Sequence, residues 1–297
     1  MAKSVLSRYI DADVLKHLAQ FPFEPRNLVI GNLAGAHKSP LAGFAVEFAG
    51  HREYVVGDDP KHLDWRVYFT RDKYFVKQYE LETNFVCHLL LDVSASMRYG
   101  EGSQQKLLYG AQLATSLGYS IIRQSDKVSF ATFDRELRGF FPPSNSMDQI
   151  VRMTRHLDET KPEEKTDIDE CLEEFVSRTG RREIVLVFSD FFCDLDQLES
   201  AVQRMRYSKH EVVLFQVLHH DEREFQFDGM IKFVGLEISE ELLTQPDDLR
   251  EGYMEALNEF NQELSNIAER NGCELVTVDT SRPLRDTFVD YLSRRVK

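Results

Sequence analysis

Three oxygen-bearing side chains stand at alternate positions in Asp92-Val93-Ser94-Ala95-Ser96, at the end of the apolar run Phe85–Val93. In an extended segment alternate side chains point the same way, so Asp92, Ser94 and Ser96 converge. Oxygen is the donor that a hard divalent cation such as Mg²⁺ prefers. Short Asp/Ser patterns also make turns and helix N-caps, so position gives this one its weight. Two further segments supply oxygens in comparable places. Ser189-Asp190 follows the apolar run Ile184–Phe188, and Thr166-Asp167 precedes a helical segment at Ile168–Val176. Asp167 reads equally well as an N-cap, which leaves Asp92, Ser94, Ser96, Thr166 and Asp190 as the candidate metal set. Two carboxylates held close together repel, and near neutral pH a cation relieves this at less cost than protonation. Two carboxylates and three neutral hydroxyls leave a divalent ion incompletely neutralised, with an open coordination position. An Asp or Glu of a partner protein would fill it. The chemistry expected is metal-dependent protein binding without catalysis, with Mg²⁺ first and Mn²⁺ or Ca²⁺ as alternatives.

Enzymatic readings fare less well. A phosphatase of the haloacid dehalogenase type needs a second carboxylate two residues after its first aspartate. Ser94 stands there and cannot protonate a leaving group at neutral pH. Ser94 and Ser96 lack the glycines of a GxSxG elbow. Gly100-Glu101-Gly102 begins a dinucleotide pattern, but Gln105 stands at the third glycine, and no GxxxxGK[ST] is present. A metal-dependent hydrolase at the same five residues remains the alternative, because an open Mg²⁺ position can activate water.

The elements that must position these residues follow from hydrophobic spacing. Continuous apolar runs at Phe85–Val93, Val128–Phe133, Ile184–Phe188, Val212–Leu218 and Leu275–Val278 predict strands buried on both faces. Leu107, Ala111, Ala114, Leu117 and Ile121 mark one helix between them, and Leu249 to Ile267, stopped by Gly272, another. This alternation is that of an α/β fold with a mostly parallel sheet and helices on both faces, whose ligands bind beyond the carboxyl ends of the strands. His219-His220-Asp221-Glu222 closes the Val212–Leu218 run; solvated turn residues are expected there rather than a second metal site. His88, within a buried strand, reads as a hydrogen-bonded core residue.

Residues 1–84 have another texture. A helix at Asp11–Gln20 is followed by short apolar pieces among Pro22, Pro25, Gly31, Gly35, Pro40, Gly43, Gly50 and Gly57, and a strand is predicted at Tyr74–Leu81. These residues form the expected small β-rich first unit, with 85–297 as the α/β unit. Arg52, Asp58, Asp59, Lys61, Asp64 and Trp65 read as a salt-bridge network joining the units, with Trp65 packed in it.

Charge is divided along the same line. The 36 basic and 50 acidic residues give −14, yet residues 1–84 carry 11 of each and are neutral. So acidic a chain argues against nonspecific nucleic-acid binding. No apolar run approaches the ~20 residues of a membrane-spanning helix, and the start lacks a secretory pattern. Four scattered cysteines, 87, 171, 193 and 273, form neither a CxxC motif nor a disulfide framework. A cytoplasmic protein with no membrane span is expected. Nine carboxylates between Leu157 and Glu174 would draw cations towards Thr166.

The strand–DxSxS–helix arrangement, the threonine before a later helix and the aspartate after a further strand resemble the metal-ion-dependent adhesion site of von Willebrand factor A domains. Upstream, Arg52-Glu53-Tyr54-Val55-Val56-Gly57-Asp58-Asp59, Asp64-Trp65 and Val76-Lys77-Gln78-Tyr79-Glu80 resemble the signature of the bacterial domain of unknown function 58 family. The resemblance implies an A-type fold from about Phe85 onward and a metal held by hydroxyls and aspartates. It also implies a MoxR-type AAA+ ATPase as partner in assembling or maturing other proteins. Many A domains carry glycine after the final aspartate; here Phe191 stands there.

Overall fold

The computed structural model describes residues 5–26, 34–38, 47–80, 82–160, 168–236 and 241–295. The chain divides into two compact units: Met1–Glu24 with Val86–Lys297, and Pro25–Phe85. The first 24 residues therefore group with the α/β unit, not with a first unit of residues 1–84. They carry α1 (Val5–Tyr9) and α2 (Ala12–Leu18), the latter capped by Asp11, which accepts from Asp13 N. Their buried faces, Tyr9, Val14, Leu18 and Phe23, supply apolar surface that the larger unit covers.

The smaller unit pairs β1 (Ala34–Lys38), β2 (Glu47–Glu53), β3 (Phe75–Glu80) and β4 (Glu82–Thr83) as β1–β4 and β2–β3, both antiparallel. Between β2 and β3 lies α3 (Trp65–Arg71), whose N-cap Asp64 accepts from Arg66 N and Val67 N. Of the residues expected to join the units, Arg52 pairs with Asp58 at 2.7 Å within this unit; Asp64 pairs instead with His51 at 2.8 Å, and Lys73 with Glu53 at 3.0 Å. Trp65, however, is 54% exposed rather than packed. It shares the outer face of α3 with Phe69, four residues on, while Tyr68 turns inward to stack on Tyr74 at 4.6 Å.

The larger unit is built on one six-stranded sheet. Its strands are β5 (Val86–Asp92), β6 (Lys127–Phe133), β7 (Leu137–Ser144), β8 (Ile184–Ser189), β9 (Glu211–Leu218) and, after a hairpin, β12 (Glu274–Asp279). The hairpin is β10 (Ile231–Val234) with β11 (Glu241–Thr244). The sheet order is β12-β9-β8-β5-β6-β7, parallel except for β7 at one edge. The apolar runs noted above coincide with strands, Phe85 and Val93 falling just outside β5; β8 and β9 are buried along their whole length, whereas edge strand β12 is only partly buried. The helices are α4 (Lys106–Arg123), α5 (Asp148–Glu159), α6 (Ile168–Ser177), α7 (Leu195–Tyr207), α8 (His220–Glu224), α9 (Pro246–Arg270) and α10 (Leu284–Arg295). This is the expected α/β architecture, a mostly parallel sheet with helices packed on it. One core layer joins Leu90, Val187 and Leu214 of the sheet to Leu172 and Phe175 of α6, Leu198 and Val202 of α7 and Leu264 of α9. His88 is the core histidine expected, its Nε2 2.8 Å from Glu183 Oε2. Among the described residues no helix is long and apolar enough to cross a membrane.

The order places a switch in the sheet between β5 and β8. From β5 the chain runs first to β6 on one side, then returns to β8 on the other. At such a point the loops leave in opposite directions and open a crevice at the carboxyl ends of the strands. The candidate oxygens of Asp92 and Asp190 lie at the ends of these two strands.

Candidate metal centre

Leu91 stands opposite Phe188 in the β5–β8 ladder, so Asp92 and Ser189 leave the sheet side by side. Ser189 Oγ donates to Asp92 Oδ2 at 2.6 Å, and Ser94 N donates to Asp92 Oδ1 at 2.8 Å. The carboxylate is thus fixed on both oxygens and 1% exposed. After it the chain enters a short 3₁₀ turn at Ala95–Arg98, which folds Ser96 back towards Ser94. The two Oγ atoms are 3.0 Å apart. Adjacent ligands of an octahedral ion bound at 2.0–2.1 Å stand about 2.9 Å apart, so the hydroxyl pair is spaced as two neighbouring ligands would be.

Asp190 follows directly, 2% exposed, its Oδ1 accepting from Phe192 N at 3.2 Å. Burial first, and the neighbouring Asp190 charge second, push the Asp92 carboxyl up to about 7, against the opposing bonds from Ser189 and Ser94. Two carboxylates therefore share a site in which one resists ionisation at neutral pH. Asp92, Ser94, Ser96 and Asp190 are brought together; Thr166 and Asp167 lie outside the described residues.

Lys106, which the spacing of acidic and hydroxyl residues gave no cause to single out, completes the site. It is fully buried at the first turn of α4, and its Nζ lies 2.7 Å from Asp190 Oδ2 and 2.7 Å from Glu222 Oε1. Burial pulls its ammonium down, but the two carboxylates outweigh that and hold it above the ordinary lysine range. Glu222 is itself pushed up by burial, with Lys106 and the His219 N–H opposing. A lysine at a helix N-terminus works against the helix dipole, and that misplaced charge is the sequence signal that could have marked it. Lys106 offsets one of the acidic charges contributed by Asp190 and Glu222, so the pocket is less negative than its carboxylates alone would make it. The donor set is all oxygen and suits a divalent ion.

The segment after β9 differs from the solvated turn expected of it. His219 is buried, 6% exposed, and caps α8: its Nδ1 accepts from Asp221 N, and Glu222 Oε2 accepts from His219 N at 2.8 Å. Its ring packs edge-on to Tyr99 at 5.0 Å. Gly100 is required beside it, since a Cβ there would lie 2.7 Å from His219 Cδ2 on a backbone with φ of +93°. His220 is half exposed and turned to Asp279 at 3.4 Å, so the two histidines do point apart. Among the described residues no group of three His, Cys, Asp or Glu side chains is placed to hold a metal ion, here or elsewhere.

Phe191 adopts φ of +60°, the left-handed region in which glycine is at ease. Its side chain is buried in the core layer under α6 and α7, which holds the strained turn in place. Phe192 forms part of the rim, 40% exposed, between Phe260 and the Lys106 ammonium.

Among solved structures, the chain is similar to an aerotolerance-related membrane protein from Bacteroides fragilis, at 17% identity over 71% of this chain and 100% of that one, with a TM-score of 0.48. It is similar to BatB, a conserved hypothetical protein from Bacteroides thetaiotaomicron, at 16% identity over 72% and 99% of the chains, with a TM-score of 0.47. It is also similar to the SpRpn10 VWA domain, at 12% identity over 70% and 95%, with a TM-score of 0.40. No curated protein matches it significantly. The family model described as "Protein of unknown function DUF58" matches residues 50–263, from the strand before the Asp58 turn into helix α9. The chain is a member of the DUF58 family.

Proposed function

We propose that this protein is a non-enzymatic, metal-dependent adaptor that binds a partner protein through a carboxylate. Asp92, Ser94 and Ser96 would hold a divalent cation, Mg²⁺ first, with Asp190 and Thr166 completing the set. The bound ion would supply a positive centre with an open position for an incoming Asp or Glu. The protein's own residues do the rest. Ser189 fixes the Asp92 carboxylate, and Lys106 holds Asp190 in place and tempers its charge. The observation that carries the reading is the pairing of two hydroxyls at ligand spacing with two buried carboxylates in mutual repulsion. The DUF58 resemblance supports a MoxR-type AAA+ ATPase as co-worker, in assembly or maturation of client proteins.

Titration calorimetry with Mg²⁺ and Mn²⁺ tests the site, beside thermal melts. The native protein is expected to bind one ion and to melt several degrees higher with it, and Asp92→Asn or Ser94→Ala to lose both effects. A Lys-rich peptide with one central Glu should then bind only with Mg²⁺ present, and its Gln counterpart should not bind. Equal titration of native protein and Asp92→Asn would defeat the proposal, as would peptide binding indifferent to EDTA.

A further inference from the structure

A second apolar site lies on the same unit, walled by the β10–β11 hairpin and the start of α9. The cavity holds about 450 Å³ and is lined by Phe225, Phe233, Leu242, Leu249, Gly252 and Tyr253, with Asp248 on its wall. Phe225 anchors it, stacked on Tyr253 at 4.4 Å and on Phe233 at 5.8 Å. Phe233 and Leu242 are partners across the hairpin and so project from one face of it. At the mouth Leu242 remains 51% and Leu249 37% exposed. Contiguous exposed apolar surface of this kind marks a binding site.

Two observations say what the cavity takes. The first is Gly252, within the second turn of a 25-residue helix, where glycine is the poorest helix former after proline. A Cβ there would meet no atom within 4 Å, and the backbone has no positive φ to require glycine. No packing within this chain explains the missing side chain, whereas an occupant's side chain in the cavity does. The second is charge. Asp248 on the wall and Asp247 and Glu251 beside it are acidic. Of the cations beside them Lys232 is paired with Glu241 at 2.6 Å and Arg250 turns to the Glu224 carbonyl oxygen at 3.2 Å, so three carboxylates stand against the Arg250 charge. A small apolar ligand would leave the leucines at the mouth uncovered. An anionic bilayer, or a second copy of this acidic chain, would be repelled.

We infer that this cavity receives a basic amphipathic helix of a partner protein, with an apolar side chain seated over Gly252 and Lys or Arg side chains on the Asp248 rim. The site is independent of any metal. The probe is a fluorescein-labelled 18-residue Leu/Lys amphipathic peptide without acidic residues, followed by anisotropy against the full chain. The native protein should bind it at micromolar concentration with or without EDTA, and bind the Leu/Glu counterpart at least tenfold more weakly. Gly252→Leu should fill the cavity, weaken the Leu/Lys peptide tenfold or more, and leave the melting temperature unchanged or raised. Asp248→Asn should weaken it about threefold, and Asp286→Asn, on α10, should not. Equal binding by native protein and Gly252→Leu would overturn the inference, as bulk charge attraction alone, and so would a lowered melting temperature, as a packed site. Sedimentation or vesicle flotation in which Gly252→Leu abolishes self-association or lipid binding would also overturn it, by assigning the cavity to another occupant. Loss of binding in EDTA would overturn the inference as well, because the cavity requires no metal.

Discussion

Lys106 is one residue, yet two acidic groups depend on it. Removing it as Lys106→Met leaves Asp190 and Glu222 buried without a counter-charge, and breaking a buried pair this way costs about 3–5 kcal/mol. Urea unfolding should show that loss, with part of it recovered in Lys106→Met combined with Glu222→Gln. Phe191 carries two opposed effects, a left-handed backbone and a buried ring. Phe191→Ala and Phe191→Gly should both destabilise, by about 3 kcal/mol or more for the lost ring. The Gly variant should be the milder by about 1 kcal/mol, because it also relieves the backbone. His210 gives the pH dependence. Burial chiefly, with the adjacent His88, lowers it to about 4. Its Nδ1 accepts from Glu183 N, leaving the Nε2 side towards Thr179 Oγ1. Below pH 6.5 the unfolded chain takes a proton that the folded site refuses until about pH 4. His210's contribution to stability should therefore be complete above pH 6.5 and fall by about 3 kcal/mol as the pH drops to 4, while the raised Asp92 carboxyl acts in the opposite sense over the same window, so the limb is read as the difference between native protein and His210→Gln.

Elements differ in how plainly their residues announce them. The parallel strands were legible because burial on both faces leaves unbroken apolar runs, and α4 and α9 because one face repeats every three to four residues. Strand β7 was not, since half-exposed Leu137–Ser144 contains Pro142 and Pro143 and mimics a loop. The β10–β11 hairpin was missed because it buries little and joins no larger sheet. In the candidate site Asp92, Ser94, Ser96 and Asp190 were legible as residues at or just beyond strand ends. Lys106 was not, since its partners lie 84 and 116 residues away and only the sheet order brings them together. In the smaller unit α3 depends on its cap. Asp64→Ala removes bonds to Arg66 N, Val67 N and His51 and should cost about 1–2 kcal/mol. Trp65 at the next position reports it: emission is expected near that of a solvated indole in the native state, with the unfolding midpoint shifted down in the variant.

Over the whole molecule the charge is lopsided, for Pro25–Phe85 is neutral and the entire −14 belongs to the unit that holds both proposed sites. Each of those sites favours a partner with a basic surface, and screening acts on the encounter before contact. The association rate of such a partner should fall several-fold between 50 and 500 mM salt while the dissociation rate changes little, a difference that stopped-flow mixing can separate. The paired prolines of β7 have a consequence for the same large sheet. Strand β7 is its antiparallel edge, where unpaired amides would otherwise invite another chain to extend the ladder. Pro142 and Pro143 present no N–H there, and the Pro142 carbonyl is already taken by Gln149 Nε2. An expressed protein crowded with copies of itself is thereby protected along that margin from fibril-like lateral growth, and replacing the two prolines with threonine should shorten its lifetime as a clear solution.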